Sequence, residues 1–93
     1  MIIHIFNDAS HSWGRVQFKK LVEFGIADKI TQYSYMKGSY VYLEEDVDLT
    51  TLLRELIKRE IQYTFKHHYA KRSSIRNFQS YNAAHFSQKE VSD

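Results

Sequence analysis

The 93-residue chain contains no cysteine and no long run of apolar residues. Without cysteine, neither disulfides nor thiolate metal sites can form, and a reducing cytoplasm is the expected setting. No apolar stretch approaches the roughly 20 residues that a membrane-spanning helix needs. The amino-terminal sequence MIIHIFND lacks the basic segment and the longer apolar stretch of a signal peptide. These absences predict a soluble cytoplasmic protein.

The charge is small overall but unevenly distributed. The formal net charge is +2, and aromatic residues make up 15% of the chain. Residues 1–46 contain five Lys or Arg and six Asp or Glu, whereas residues 47–93 contain eight and five. The basic carboxyl-terminal half permits an anionic partner, although a solvated basic face is the simpler explanation. The length predicts one small domain with a limited core.

The clearest local signal is the segment KITQYSYMKGSYVYLEED at residues 29–46. Two short alternating runs flank Lys37-Gly38, and glycine accepts the positive φ of a tight hairpin turn. A two-residue loop at Lys37-Gly38 would pair Met36 with Ser39. Because side chains alternate along a strand, this register places four tyrosines on one face of the sheet. They are Tyr33, Tyr35, Tyr40 and Tyr42.

Hydrophobic periodicity predicts two helices and further strands around this hairpin. The predicted elements are a strand at Met1–Phe6, a polar loop at Asn7–Gly14, a helix at about Gln17–Phe24, the hairpin, a helix at about Leu49–Glu60 and a strand at Ile61–His68. Gly25 is expected to end the first helix, Asp48 to cap the second, and the last strand to bury one face.

The order β-α-β-β-α-β predicts a small α+β domain of the ferredoxin-like, split βαβ type. That fold has a four-stranded antiparallel sheet with two helices on one face. A different strand order is the main alternative, because the order of elements does not fix their pairing. The α+β domain is assigned to residues 1–69 and a basic arm to residues 70–82. Residues 83–93 have little to bury and are expected to form a flexible tail.

Asp8, His11 and Trp13 form the first candidate site. A nearby carboxylate can orient an imidazole for base catalysis, and an exposed tryptophan can stack on a base. No nucleophile motif, P-loop or glycine fingerprint accompanies them, so no catalytic residue is assigned. The favoured alternative is structural: Trp13 covers an edge of the core, Asp8 caps a turn and His11 is merely polar.

The five histidines lack the spacing of zinc ligands. Local zinc-binding pairs are separated by about three to five residues, and His4, His11, His67, His68 and His85 include no such pair. Adjacent His67 and His68 are expected to point to opposite faces of a strand. No metal ion or other cofactor is predicted.

The tyrosine face and the basic arm together form the strongest candidate site. Aromatic rings stack on nucleobases with about 1–3 kcal/mol per base, and Arg and Ser side chains bind phosphate. These residues predict binding of a nucleotide or of single-stranded nucleic acid, while the low net charge argues against general duplex binding. Alternatively, the tyrosines pack beneath the helices or the arm. The predicted ligand-binding residues are His11, Trp13, Tyr33, Tyr35, Tyr40, Tyr42, Lys71, Arg72, Ser74 and Arg76.

Three blocks of sequence resemble a family of small proteins encoded by tailed bacteriophages and prophages. They are FND-x-x-H-x-W, YSY-x-x-G-x-x-VYLEED and R-S-x-IR-x-F-x-SY, within residues 3–82. The chain departs from the family pattern at Ala9 and Gln17, where proline is usual, and at Ser12, where glycine is usual. The resemblance implies a host-takeover or anti-defence factor that acts by binding in the host cytoplasm.

The leading hypothesis is a non-enzymatic accessory protein, a small homo-oligomer, that sequesters a nucleotide-type immune signal or blocks a host defence protein. Trp13 and the hairpin tyrosines would stack on the ligand, while Arg72 and Arg76 would bind its phosphates. The second hypothesis is a single-stranded nucleic-acid-binding module, although the RNP aromatic motif is absent. The third is a small phosphodiesterase-like enzyme built on Asp8 and His11, for which most of the expected active-site features are missing.

Overall fold

The computed structural model describes residues 1–86, which form six strands and several helices. The strands are β1 (Ile2–Asn7), β2 (Ser12–Gln17), β3 (Tyr35–Lys37), β4 (Tyr40–Glu44), β5 (Thr64–Tyr69) and β6 (Gln79–Ser80). The helices are α1 (Phe18–Glu23) and α2 (Asp48–Lys58), with 3₁₀ turns at Ala27–Lys29 and Ser74–Asn77. No helix within residues 1–86 is long and apolar enough to cross a membrane.

All six strands belong to one mixed sheet, in the order β5-β1-β2-β4-β3-β6. β1 and β5 are parallel, and every other neighbouring pair is antiparallel. The prediction of a small α+β domain is confirmed. The predicted four-stranded antiparallel sheet is wrong, because the observed sheet has two more strands and contains a parallel pair.

The largest difference from the prediction lies at residues 12–17, which form strand β2 although most of them were expected in or beside a loop. Asp8 Oδ1 accepts hydrogen bonds from the backbone N–H groups of Ser10 at 3.0 Å and His11 at 2.9 Å. This turn folds β2 directly back onto β1. The split βαβ arrangement is therefore absent, since a hairpin turn and not a helix connects β1 to the next strand, β2.

The main core lies between one face of the sheet and the helices. Its members include Ile3, Ile5, Val16, Met36, Val41 and Leu43 from the strands, and Leu21, Leu49, Leu52 and Leu56 from the helices. The three- and four-residue spacing on α2 places its leucines on one side of the helix. Burying one such side chain contributes about 1.5–3 kcal/mol, so this layer is a major source of stability.

Gly14 lies where Leu49 of α2 packs closely against the sheet. A Cβ atom here would lie 2.7 Å from Leu49 Cδ1 and 3.5 Å from side-chain atoms of Ile3 and Ile5. Because overpacking a core site typically costs about 1–3 kcal/mol, we expect Gly14→Ala to lower the free energy of unfolding by that amount, measured by chemical denaturation. Leu49→Ala should cost less in the Gly14→Ala background than alone, because it removes the crowded methyl group. Equal costs in both backgrounds would contradict this account.

The predicted hairpin is present as β3 and β4, with its loop shifted by one residue. The cross-strand pairs are Tyr35 with Tyr42, Met36 with Val41, and Lys37 with Tyr40. The loop is therefore Gly38-Ser39 and not Lys37-Gly38, and Gly38 has the expected positive φ of 60°. The three tyrosines of these strands share one face, as predicted. Tyr33 is outside the sheet in the preceding turn and is 69% exposed.

β5 is an exposed edge strand that runs parallel to β1. The predicted strand at Ile61–His68 begins only at Thr64, and Ile61 and Tyr63 before it pack against the main core. The prediction that the strand buries one face is wrong for β5 itself, because five of its six residues are exposed and Phe65 is 44% exposed. The reason lies in the placement of α2. Its Leu49 packs against Gly14 in the middle of the sheet, which leaves the edge at β5 uncovered.

Asp48 is fully buried at the start of α2. Its carboxylate accepts hydrogen bonds from the Thr31 N–H at 3.1 Å, Thr31 Oγ1 at 2.7 Å and Ser34 Oγ at 2.5 Å. Ser34 Oγ in turn accepts the Glu44 N–H at 2.9 Å. The predicted helix-capping role is wrong, since the cap position is Val47 and no side chain caps the helix. Asp48 instead ties the segment before β3 to α2 and β4.

The basic arm returns to the sheet at its carboxyl-terminal end. β6 pairs antiparallel with β3, and the adjacent Tyr81 is buried. The Tyr81 hydroxyl donates a hydrogen bond to the carbonyl of Ala27. Burial, with smaller contributions from Asp28 and Asp48, raises the pKa of Tyr81 to about 12. The arm is therefore an integral layer of the domain.

The chain after the arm begins with a helical turn at residues 83–86. Phe86 is buried in the main core, where its ring stacks on Phe18 with the centroids 4.0 Å apart. The structure thus differs from the predicted flexible tail at residues 83–86, because Phe86 supplies apolar surface that the prediction overlooked. Residues 87–93 lie outside the described part of the chain.

Candidate functional site

The sheet face opposite the main core carries a second cluster of aromatic side chains. Its members are Phe6, Trp13, Tyr35, Tyr40 and Tyr42 from the strands, and Ile75 and Phe78 from the arm. We call this surface the aromatic face. Trp13, Tyr42 and Ile75 form its buried centre, and Phe78 meets the Tyr42 ring edge-on at 5.1 Å. The arm therefore covers much of the tyrosine face that the sequence analysis predicted to bind a ligand.

An ion pair holds the arm against the β1–β2 turn. Arg76 Nε and Nη2 donate to the two carboxylate oxygens of Asp8 at 3.0 and 3.1 Å. Nη2 also donates to Ser10 Oγ at 2.7 Å and lies 2.9 Å from His11 Nδ1. Two parallel charge-assisted bonds fix orientation as well as position. Most of the donor capacity predicted for phosphate binding by Arg76 is thus used inside the protein.

Asp8 is a structural carboxylate in this geometry. Its side chain is 2% exposed. Hydrogen bonds from Arg76 and from the backbone N–H groups of Ser10, His11 and Ser73 hold the pKa of Asp8 well below its usual range. The same pair raises the pKa of Arg76. A carboxylate stabilised so strongly in its charged form is a weak base, which argues against a catalytic role together with His11.

Trp13 is enclosed by protein groups and is 2% exposed. His11 stacks with its ring at 5.9 Å, Tyr35 meets it edge-on at 6.4 Å, and the Arg76 guanidinium lies 5.4 Å from its centre. The predicted stacking of Trp13 on a ligand does not fit this burial. The geometry favours the alternative in which Trp13 supplies packing area.

A cleft of about 240 Å³ lies beside Trp13 and is lined by acidic residues. Its walls include His11, Trp13, Tyr33, Tyr35 and Arg76, which are five of the ten predicted ligand-binding residues. Glu44, Glu45 and Asp46 also line it, whereas its arginine is already paired with Asp8. Three carboxylates against one paired guanidinium disfavour an anionic ligand here.

A second cleft, of about 340 Å³, separates the aromatic face from the arm, and we call it the arm–sheet cleft. Its walls include Phe6, Arg15, Tyr42, Arg72, Ser74 and Phe78. Two guanidinium groups and serine hydroxyls stand beside aromatic rings, and no carboxylate is among the lining residues. These donors suit phosphate, and the rings suit a base.

Arg15 is the residue that sequence analysis missed. It lies half-buried on β2, with Cζ 5.1 Å from the ring centre of Phe6 and 4.8 Å from that of Tyr40. Within residues 1–86 its guanidinium makes no salt bridge and no side-chain hydrogen bond, unlike those of Arg59 and Arg76. A guanidinium has five N–H donors, so Arg15 brings unused donors into a carboxylate-free cleft.

The remaining predicted residues lie at neighbouring positions on the same side of the molecule. Tyr42, Arg72 and Ser74 line the arm–sheet cleft. Lys71 joins Arg72 at a shallower pocket of about 310 Å³ beside the β1–β2 turn. Tyr40 contacts Arg15. The predicted set is therefore divided among adjacent depressions instead of forming one pocket.

His4 and His68 meet across β1 and β5. His4 Nδ1 and His68 Nε2 lie 2.9 Å apart, and the rings stack with centroids 5.2 Å apart. Burial, together with Arg15, His68 and Lys66, lowers the pKa of His4. Whichever of the two facing nitrogens carries the proton donates this hydrogen bond, and the other accepts it. The described residues contain no group of three or more side chains placed to hold a metal ion.

Comparisons with known proteins identify no relative of this chain. No protein-family model, no curated protein and no solved structure matches it. The resemblance to bacteriophage proteins therefore stays a prediction from three blocks of sequence.

Proposed function

We propose that the protein acts by binding and that the arm–sheet cleft holds a nucleotide-type ligand, with Arg15 as its main phosphate contact. The observation that carries the proposal is that Arg15, a half-buried residue, forms no ion pair within residues 1–86 and lines a cleft whose described lining residues include no carboxylate. No buried side-chain nitrogen among the described residues lacks a hydrogen-bond partner, so the unused donors of Arg15 face solvent. Because hydrogen bonds between two charged groups are stronger than those to neutral partners, an anion in the cleft would replace water as the acceptor for these donors.

The surroundings of Arg15 favour a phosphate ester over a small inorganic anion. The Phe6 and Tyr40 rings hold the guanidinium from the side, a cation–π geometry that fixes its direction. Arg72 and Ser74 approach from the arm and add donors, while Phe78, which is only partly buried, offers aromatic surface. A ligand that carries both a phosphate and a flat ring would contact both the hydrogen-bond donors and the aromatic rings of the cleft.

The arrangement of Asp8 and His11 supports binding and not catalysis. Arg76 contacts both side chains, so the only Asp-His pair noted in the sequence is part of the contact that holds the arm. In the phage setting that the resemblance implies, we propose sequestration of a nucleotide-type immune signal in the host cytoplasm by a small homo-oligomer. Blocking a host defence protein is the second route for such a factor.

A thermal-shift screen of linear and cyclic nucleotides tests this proposal. A ligand at 100 times its dissociation constant should stabilise the fold by about 2.7 kcal/mol, and it should be recovered intact after denaturation. Arg15→Met keeps the aliphatic packing and removes the donors. Because a hydrogen bond to a charged group contributes about 1.5–3 kcal/mol, the variant should bind at least about tenfold more weakly.

Arg54→Met is the matched control for this experiment. Arg54 is exposed on α2, so the substitution makes the same change in net charge away from the aromatic face. Equal weakening by the two substitutions would show that only net charge matters. A screen without any shift would contradict nucleotide binding and favour a host protein as the partner, and steady turnover of a nucleotide would contradict the non-enzymatic proposal.

A further inference from the structure

The aromatic face continues beyond the arm–sheet cleft toward the β5 edge. In the register of the sheet, Lys66 on β5 is beside His4 on β1, and His4 is beside Arg15 on β2. Cross-strand neighbours share a face, so these three side chains form one row. The row joins the cleft at Arg15 and ends at an edge strand that is mostly exposed. We call it the basic row.

The basic row presents donors and contains no acidic residue. Lys66 is exposed on β5. His4 is half-buried and held by His68, and the hydrogen bond between them leaves the other nitrogen of each ring free for a further contact. No salt bridge within residues 1–86 involves Lys66 or Arg15. The row therefore offers unpaired positive charge at both of its ends.

Lys66 and Arg15 are separate contact points at the two ends of the row. Adjacent strands are about 4.8 Å apart, so Lys66 and Arg15 start about 10 Å apart across three strands. Charge-assisted hydrogen bonds are only about 2.7–2.9 Å long. Arg15 lines the arm–sheet cleft and lies over Phe6 and Tyr40. A phosphate bound in the cleft would contact Arg15 there, which leaves Lys66 at the other end of the row for a second phosphate.

An aromatic contact lies beside the row, two residues further along β1 and β5. His68 stacks on Phe6 with the ring centroids 4.8 Å apart and the planes inclined by 14°. Phe6 also lines the arm–sheet cleft. Proteins that bind single-stranded nucleic acids combine aromatic rings with a row of side chains that donate hydrogen bonds to phosphate, because every base has a flat face that can stack on a ring.

We propose that the ligand is a linked nucleotide with at least two phosphates, one bound at Arg15 in the arm–sheet cleft and the next at His4 and Lys66. This inference rests on the proposed function and narrows its ligand class from nucleotides in general to short oligonucleotides. Phosphates of a nucleic-acid strand follow one another at a rise of about 3.4 Å in a duplex, which is shorter than the row. The ligand that fits both ends is therefore an extended single strand, in which neighbouring phosphates lie further apart.

The test compares adenosine monophosphate with the dinucleotide pApA by equilibrium dialysis at several salt concentrations. The dinucleotide should bind at least about tenfold more tightly, which corresponds to about 1.4 kcal/mol. Its affinity should also fall more steeply with salt, because the dinucleotide makes an additional charged contact that the added ions screen.

Lys66→Gln identifies the second phosphate position. We expect it to remove most of the advantage of pApA while leaving the affinity for the mononucleotide unchanged. Lys58→Gln, on α2 away from the aromatic face, is the matched control and should leave both affinities unchanged. His4→Gln should act as Lys66→Gln does, whereas His67→Gln should not, because His67 points to the other side of β5.

Two outcomes would overturn the inference in distinguishable ways. If both nucleotides bind with equal affinity and Arg15→Met weakens both, the cleft is a nucleotide site but the basic row plays no part. If neither nucleotide binds, the proposed function itself fails, and the inference fails with it.

Discussion

Asp48→Ala is expected to lower the free energy of unfolding by about 3 kcal/mol or more, a large share of the stability of a small domain. The substitution removes the acceptor for Thr31 and Ser34 in a site without solvent access. Each buried donor left without a partner costs about 1–3 kcal/mol. The segment before β3 would also lose its connection to α2.

Urea denaturation of Asp48→Ala and Asp48→Asn measures this effect and separates its parts. Asparagine keeps one carbonyl oxygen as an acceptor but replaces the other oxygen with an NH₂ donor. Asp48→Asn should therefore lower the free energy of unfolding by less than Asp48→Ala does. Asp46→Ala, at an exposed position two residues earlier, is the control and should change stability little. An unchanged midpoint for Asp48→Ala would contradict the role assigned to Asp48.

Asp8→Asn is expected to release the arm and destabilise the protein in a pH-dependent way. Arg76 donates to both Asp8 oxygens, and the Ser73 N–H donates to Oδ2 at 3.4 Å, so the carboxylate is the shared anchor of arm and turn. Trypsin should cut the variant faster after Lys71 and Arg72, which are exposed in the arm, because local opening exposes the backbone to the protease.

The pH dependence follows from the sign of the pKa shift. The folded-state pKa of Asp8 is lowered, so its contribution to stability is fully present above the unfolded-state value of about 3.9 and is lost as pH falls below it. The difference between the wild type and Asp8→Asn should therefore be constant near neutrality and shrink in acid. Glu45→Gln, at an exposed position, is the control. A difference that is independent of pH down to strong acid would contradict the ion pair.

Local patterns predicted much of the secondary structure. The leucine spacing of α2 produced the expected helix, and Gly25 ends α1 with φ of 70°. The hairpin turn is present at Gly38, whose φ of 60° is the positive value that the turn requires. These features depend on neighbours in sequence, which a single chain reveals directly.

Features that depend on which strands pair, or on contacts between distant residues, were not predictable from local patterns. Residues 12–17 alternate between Trp13 and Arg15 on one face and Gly14 and Val16 on the other, yet their polar composition indicated a loop. Recognising that alternation would have placed Arg15 on the aromatic face. The burial of Asp48 depends on two distant hydroxyl groups, and no local pattern signals such a contact.

The candidate site was predicted only in part, because some of its features follow from local alternation and others depend on contacts between distant residues. The tyrosines and the basic arm do share one side of the molecule, as alternation along the hairpin indicated. The sequence did not show that Asp8 would bind Arg76 or that the arm would cover Trp13. Both contacts join residues more than 60 positions apart. Because Arg76 is paired with Asp8, the candidate phosphate contact in the described structure is Arg15 and not Arg76.

The most direct test of the central claim is an NMR titration that follows the Nε–H signals of the arginine side chains as nucleotide is added. If Arg15 binds the phosphate, its signal should shift in a saturable manner, together with backbone signals of residues 72–75, while the signal of Arg54 stays constant. If Arg15 does not respond while residues 44–46 shift, the ligand occupies the acidic cleft and the assignment of the site is wrong.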